Sequence, residues 1–102
     1  MTNAFVTLQS GNALIRVPVA SIRYLESRRH YLMIYTACGT FRIHGRISEW
    51  AERLSRSGFV RTHRCYVVNR AAVVVVRHDG VELTGGTRVP IGRRYRAGLS
   101  IP

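Results

Sequence analysis

The sequence predicts a single, mainly β domain: antiparallel sheets with one short packed helix and a short helical segment near the C-terminus. Three observations point there. Short runs rich in Val, Ile, Tyr, Phe and Thr recur along the chain, separated by turns that often contain glycine. One clear stretch repeats apolar residues at helical spacing, through Ile47, Trp50, Ala51 and Leu54. A length of 102 residues suits one domain, large enough to bury roughly two-thirds of its unfolded surface without staples.

Taken in order, Phe5, Val6 and Leu8 mark a first strand over residues 4–8, and Gln9-Ser10-Gly11-Asn12 reads as a turn. Residues 13–19 resume the extended pattern, with Pro18 keeping the segment at an edge or strand end. Residues 21–26 follow, with Ile22 and Tyr24 on one face if extended. Ser27-Arg28-Arg29-His30 interrupts as a loop. Residues 31–37 and 41–44 then form a hairpin about a turn at Gly39-Thr40. In the helix, Arg46, Glu49, Glu52 and Arg53 fall opposite the Trp50 face, Gly45 precedes it and Ser57-Gly58 stops it. A helix this short is marginal alone, so its apolar stripe must dock on the sheet. The stretch 59–70 comes next, then an apolar run over 71–76 with the length of a buried strand. A hairpin turn at Arg77-His78-Asp79-Gly80 leads to residues 81–83, and a further turn at 84–87 leads to a last strand over 88–91. Gly92 opens the segment 93–99, whose interior Gly98 weakens it as a helix.

Several function classes lose support. No uncharged apolar run approaches the ~18 residues of a membrane span, and the first residues lack the features of a signal peptide, so a cytoplasmic protein is the simplest expectation. Cys38 and Cys65 have no metal-like or redox-like spacing and read as small core residues. The histidines 30, 44, 63 and 78 supply no second pair to complete a tetrahedral zinc set beside His63-x-Cys65. No carboxylate dyad, nucleophile elbow or phosphate-cradling glycine loop is present. The expectation is a non-enzyme without metal or cofactor.

Charge is the informative quantity. Sixteen basic residues, every one an arginine, stand against five acids, a formal +11. Such a surplus self-repels unless an anion is near, and arginine suits forked contacts to phosphate and guanine. The arginines cluster with hydrogen-bonding side chains at three loops or element ends: Ser27-Arg28-Arg29-His30, Arg61-Thr62-His63-Arg64 and Arg93-Arg94-Tyr95-Arg96. Each alone could be a solvated turn; three together point to nucleic acid. Glu26, just before the first cluster, reads best as an intramolecular partner that orients an arginine, with a contact to cytosine as the alternative.

These residues resemble the LytTR DNA-binding domain of bacterial transcription regulators. Ile22-Arg23-Tyr24-Leu25-Glu26 followed by Tyr31 resembles one family segment, and Gly45, Ile47, Trp50 and Leu54 fit its helix. Phe59 to Asn69 is similar to its central motif, and Val89-Pro90-Ile91-Gly92-Arg93-Arg94 to its last. The likeness covers roughly residues 14–100 and the whole chain, 1–102, reads as this one domain. Cys65 and Gly92 stand where the family usually has serine, and each removes a hydroxyl able to reach a phosphate.

The resemblance implies antiparallel sheets with a helix packed alongside, and loops that enter successive major grooves of bent DNA. It implies base contacts from His30, Arg64 and Arg93, and phosphate or supporting contacts from Arg28, Arg29, Arg61, His63, Arg94 and Arg96. Phe59, Tyr66, Val67 and Val68 would anchor the central motif. Double-stranded DNA is the expected partner, bound by a homodimer on paired repeats. Input would come from a sensory domain on a longer chain or from a regulatory partner protein. Two alternatives stay open: a small basic RNA-binding β domain stacking bases on Tyr24, Tyr31, Tyr35 and Tyr66, and a stand-alone module that sequesters a related regulator.

Overall fold

The structure, a computed structural model, describes the backbone of residues 4–99 and the side chains of residues 4–96. Ten strands form three antiparallel sheets. A hairpin pairs β1 (Phe5–Ser10) with β2 (Ala13–Pro18). The central sheet contains β3 (Ile22–Arg28), β4 (Tyr31–Thr36), β5 (Gly39–Ile43), β6 (Phe59–His63) and β7 (Tyr66–Asn69), in the order β5-β4-β3-β7-β6. The third sheet is β10-β9-β8, from β8 (Val73–Val76), β9 (Gly80–Leu83) and β10 (Arg88–Pro90). Helix α1 (Ile47–Arg53) links β5 to β6.

Period-two alternation gives the central sheet two apolar faces. On one, Ile22, Leu25, Leu32, Ile34 and Val67 pack against Ile47, Trp50 and Leu54 of the helical segment and Leu8 and Val17 of the first hairpin. On the other, Val68 packs against Val81, Leu83 and Val89 of the third sheet, flanked by Tyr24, Val60 and Tyr66. The docking of α1 through Trp50 and Ile47 is the one its apolar stripe predicts. Gly58, at φ 85°, then supplies the left-handed turn that ends the helical region.

Local chemistry moves several boundaries. The β4–β5 turn falls at Ala37 and Cys38, ahead of Gly39, because Thr36 closes it: its Oγ1 accepts from the Cys38 N–H at 3.0 Å and donates to the Gly39 carbonyl at 2.8 Å. Cys38 is consequently exposed, not a core residue. β3 runs on through Ser27 and Arg28, which pair with Leu32 and Tyr31, so the first basic loop shrinks to Arg29 and His30. The valine run is not a buried strand. Arg70–Ala72 forms a 3-10 turn whose cap is Asn69, accepting from the Ala71 N–H, and β8 is a sheet edge that leaves Val74 61% and Val76 41% exposed. The C-terminal segment Arg93–Leu99 is a 3-10 helix, opened by the Tyr95 N–H donating to the Gly92 carbonyl at 2.9 Å.

Candidate nucleic-acid interface

Strand order brings the three basic segments to one end of the central sheet. β3 and β7 are antiparallel neighbours, so the exit of β3 lies beside the entry of β7, and the Ser27 N–H donates to the Cys65 carbonyl at 2.8 Å. The β3–β4 turn (Arg29, His30) and the β6–β7 turn (Arg64, Cys65) therefore stand side by side. Their centres are two strand spacings apart, about 10 Å. The third segment arrives when the Gly92 N–H donates to the Thr62 carbonyl at 2.7 Å. A Cβ on Gly92 would lie 3.2 Å from Tyr95 Cδ2 and 3.5 Å from His63 Cδ2, so the absent side chain has a packing reason here.

Within this end the arginine and histidine side chains divide into two kinds. Arg29, His30, Arg64, Arg93 and Arg94 are exposed, and among the described residues their side chains make no hydrogen bond or ion pair. Arg28, Arg61, His63 and Arg96 are held internally. Arg61 donates from Nη2 to the Arg64 carbonyl at 2.6 Å, and its guanidinium carbon lies 5.7 Å from the Tyr95 ring centroid. His63 accepts on Nδ1 from the Cys65 N–H at 3.0 Å, which leaves Nε2 carrying the proton of the neutral ring. Arg96 donates to the His78 carbonyl at 3.1 Å. Thr62, inside the second cluster, is fully buried, so it cannot meet phosphate or base; among the described residues its Oγ1 has no partner. Arg29 sits at φ 44°, a left-handed conformation costing an arginine about 1–2 kcal/mol.

Glu26 anchors the first turn. Its Oε1 accepts from Arg28 Nε at 3.1 Å and from the Tyr35 hydroxyl at 2.8 Å, and its Oε2 accepts from the Tyr66 hydroxyl at 2.9 Å. The expectation that Glu26 orients an arginine thus has a definite partner in Arg28. Burial pushes the Glu26 carboxyl up, but the hydrogen bonds from Tyr35, Tyr66 and Arg28, with the charge of Arg28, more than offset it and hold it below the ordinary range. Burial, then the bond and charge of Glu26, raise the hydroxyls of Tyr35 and Tyr66. Tyr24 stacks on Tyr35 with centroids 4.2 Å apart and leans on Tyr66. These three rings are engaged with one another, which weighs against their serving as open platforms for RNA bases. The role of Tyr35 escaped the reading of the sequence. Counting the hairpin register back from its two-residue turn, which sets Glu26 opposite Met33 and Tyr35 on the diagonal, would have found it.

The remaining acid of the third sheet, Glu82, lies 3.8 Å from Arg77 and 3.7 Å from Arg88, long and solvent-exposed pairs of little energetic weight. Among the described residues no group of three or more His, Cys, Asp or Glu is gathered so as to hold a metal ion. No helix among them is long and apolar enough to cross a membrane.

Comparison with known proteins identifies the family and the fold. The family model of the LytTr DNA-binding domain matches residues 12–100. The CO-responsive transcriptional regulator RcoM of Rhodospirillum rubrum is 34% identical over 94 residues, a match covering 86% of this chain and 40% of that protein. The chain thus spans well under half the length of that relative. Among solved structures, the LytTr DNA-binding domain of a Bacillus cereus protein described as a methyl-accepting/DNA response regulator superposes with a TM-score of 0.80 at 24% identity. It covers 95% of this chain and 94% of that one, and shows the shared fold. The chain belongs to the LytTr DNA-binding domain family.

Proposed function

From that membership, we propose that the chain is the sequence-specific DNA-binding domain of a bacterial transcription regulator and reads DNA with the turn-bearing end of its central sheet. The observation that carries this is the gathering of Arg29, His30, Arg64, Arg93 and Arg94, exposed and without side-chain partners among the described residues, on one rim. Five strands at about 4.8 Å spacing give that rim roughly 20 Å before the flanking segments are added. The molecule is 41 Å in its longest dimension. One helical turn of DNA is about 34 Å, so reaching successive major grooves, as the resemblance implies, draws on the flanking segments and on bending of the duplex. In this reading His30, Arg64 and Arg93 meet base edges. Arg29 and Arg94 meet phosphates, while Arg28, Arg61, His63 and Arg96 hold the turns in place. Binding by paired copies on repeated half-sites, and control by a sensory segment or partner protein, complete the proposal.

Selection of bound sequences from a random duplex pool tests it directly. A preferred motif should emerge, and half-site spacing will show whether copies pair. With Arg29 and Arg94 on phosphates and the charges of Arg64 and Arg93 beside them, log K should fall with log salt at a slope of roughly −2 to −4. A slope near zero, or no enrichment over the starting pool, would refute the reading.

A further inference from the structure

The rim carries one more cationic cluster than the three turns account for. Ile43 pairs with Leu32, which sets the next residue, His44, opposite Tyr31, where the chain leaves the Arg29–His30 turn. The His44 and Tyr31 ring centroids are 5.1 Å apart. Arg42, two residues before His44 on the same face of β5, holds its guanidinium carbon 4.6 Å from the Tyr31 centroid. Ser10 Oγ donates to the Arg42 carbonyl at 3.0 Å, bringing the tip of the first hairpin alongside. An open cleft of about 460 Å³ lies there, lined by Gln9, Gly11, Asn12 and His44.

We infer that Arg42, which shares the Tyr31 ring with His44, makes DNA contact from a fourth segment, to the phosphate backbone outward from the His30 turn. The inference rests on the DNA-binding reading above. A guanidinium laid on an aromatic face keeps its N–H edges free, and its planar fork matches two phosphate oxygens. Among the described residues the ion pairs engage Arg28, Arg77 and Arg88, so the charge of Arg42 is not neutralised within the domain. His44 and Asn12 are both exposed and line the neighbouring cleft, adding hydrogen-bonding capacity there. β5 stands one strand beyond β4, about 5 Å further along the rim. Against a rise of about 3.4 Å per phosphate on one strand, Arg42 reaches one to two phosphates past those near Arg29. A backbone contact at the edge of the footprint positions the domain and carries no base preference.

The test titrates the full chain against a duplex selected from a random pool and against a random duplex of equal length, over a range of salt. Arg42→Ala should lower affinity about three- to tenfold on both duplexes alike and make the salt slope shallower by about 1. Phosphate-ethylation interference should lose one position, on the flank beyond the His30 contact. Arg42→Lys, which keeps the charge, should restore the slope. Arg53→Ala, whose guanidinium lies 4.1 Å from the Trp50 centroid on the helix side, should leave the slope as in wild type. Melting should shift by about two degrees or less, since Arg42 is exposed. Arg42→Gln, which keeps the stem on Tyr31, gives the same readout if the alanine variant melts early. Unchanged affinity, slope and interference in a protein whose wild type binds duplex would overturn this inference and leave the DNA-binding reading standing. A loss confined to the selected duplex would also overturn it, as base reading. Absence of duplex binding by wild type would overturn both.

Discussion

Replacing Arg61 with alanine separates holding the β6–β7 turn, which we propose faces DNA, from touching the DNA. The guanidinium donates to the Arg64 carbonyl at 2.6 Å and lies 5.7 Å from the Tyr95 centroid, so it ties β6, its turn and the C-terminal segment together. A hydrogen bond from a charged donor contributes about 1.5–3 kcal/mol when well shielded, and less at a solvent-facing rim. The distant cation–π contact adds about 0.5 kcal/mol at most. The expected destabilisation is about 1–2 kcal/mol, a melting shift of roughly 4–10 °C for a domain of this size. If Arg61 acts by fixing the turn from which Arg64 projects, the variant should lose about tenfold on the selected duplex, near 1.4 kcal/mol. It should lose less than about twofold on random DNA, with the salt slope unchanged. Thermal melting and paired anisotropy titrations measure both quantities. An equal loss on both duplexes with a slope shallower by about 1 would put Arg61 on a phosphate instead. An unshifted melting temperature would remove the clamp altogether.

Arg64→Ala and Arg93→Ala should each cost about 1–3 kcal/mol on the selected site and broaden base preference at one position; equal losses on random DNA would reassign them to phosphate contact. Glu26→Gln should destabilise the fold by about 1–2 kcal/mol near neutral pH, because three hydrogen bonds lose their charged acceptor. Since the folded carboxyl lies below its ordinary 4.5, its contribution is present above that pH and lost as pH falls through the lower folded value, so the acid limb of a pH-stability curve should flatten in the variant. Tyr35 works in the opposite sense: its hydroxyl is raised above 10.0, so its contribution is whole below pH 10 and lost above, and Tyr35→Phe should flatten the alkaline limb. An E26Q curve that parallels wild type throughout the acid range would sink the network. Thr62→Val removes a buried hydroxyl that has no partner and should raise stability by about 1 kcal/mol, read as a higher melting temperature; a drop would mean the hydroxyl is satisfied.

Much of this fold is written in local patterns. Leu32, Ile34 and Thr36 alternate with Tyr31, Met33 and Tyr35, and that period alone makes β4 a two-faced strand. The stripe through Ile47, Trp50 and Leu54 likewise identifies the helix and its buried side. What pattern cannot carry is a position set by a neighbour. Ser27 and Arg28 have the composition of a loop, yet their backbones are strand because Leu32 and Tyr31 pair with them. Thr62 is buried three residues after Phe59 because a bulge between Arg61 and His63 shifts the phase of β6. Four valines announce a strand, but whether it lies at a centre or an edge depends on the sheet it joins. The same holds for the interface. The three basic clusters are legible in sequence, whereas the split between free and internally bonded arginines depends on Glu26, Tyr95 and the Arg64 carbonyl, which only the folded chain brings within reach.

On the proposed function, that split bears on how so basic a domain would discriminate among sequences. With a formal charge of +11, non-specific attraction to any duplex is strong, and it contributes nothing to the choice of site. Discrimination must come from side chains held to within a fraction of an ångström of their targets. Turns are ordinarily the most mobile parts of a domain, so reading from turns needs something to hold them. Here three of the four strands that carry the β3–β4 and β6–β7 turns, β3, β4 and β7, lie inside a sheet packed on both faces, through Leu25 and Val67 on one side and Val68 on the other. Glu26 fixes Arg28 at the base of the first turn, and Arg61 and His63 close the second upon itself. Some of the positive charge is therefore bonded to the protein's own groups, in fixing the turns, and only the remainder at this rim has its N–H groups free. A variant that traded the inner arginines for neutral residues would keep most of its attraction to DNA while losing its preference among sequences. An equal number of arginines removed from the outer rim would weaken both. The two sets are chemically identical, and the hydrogen bonds they make to their own chain are what distinguish them.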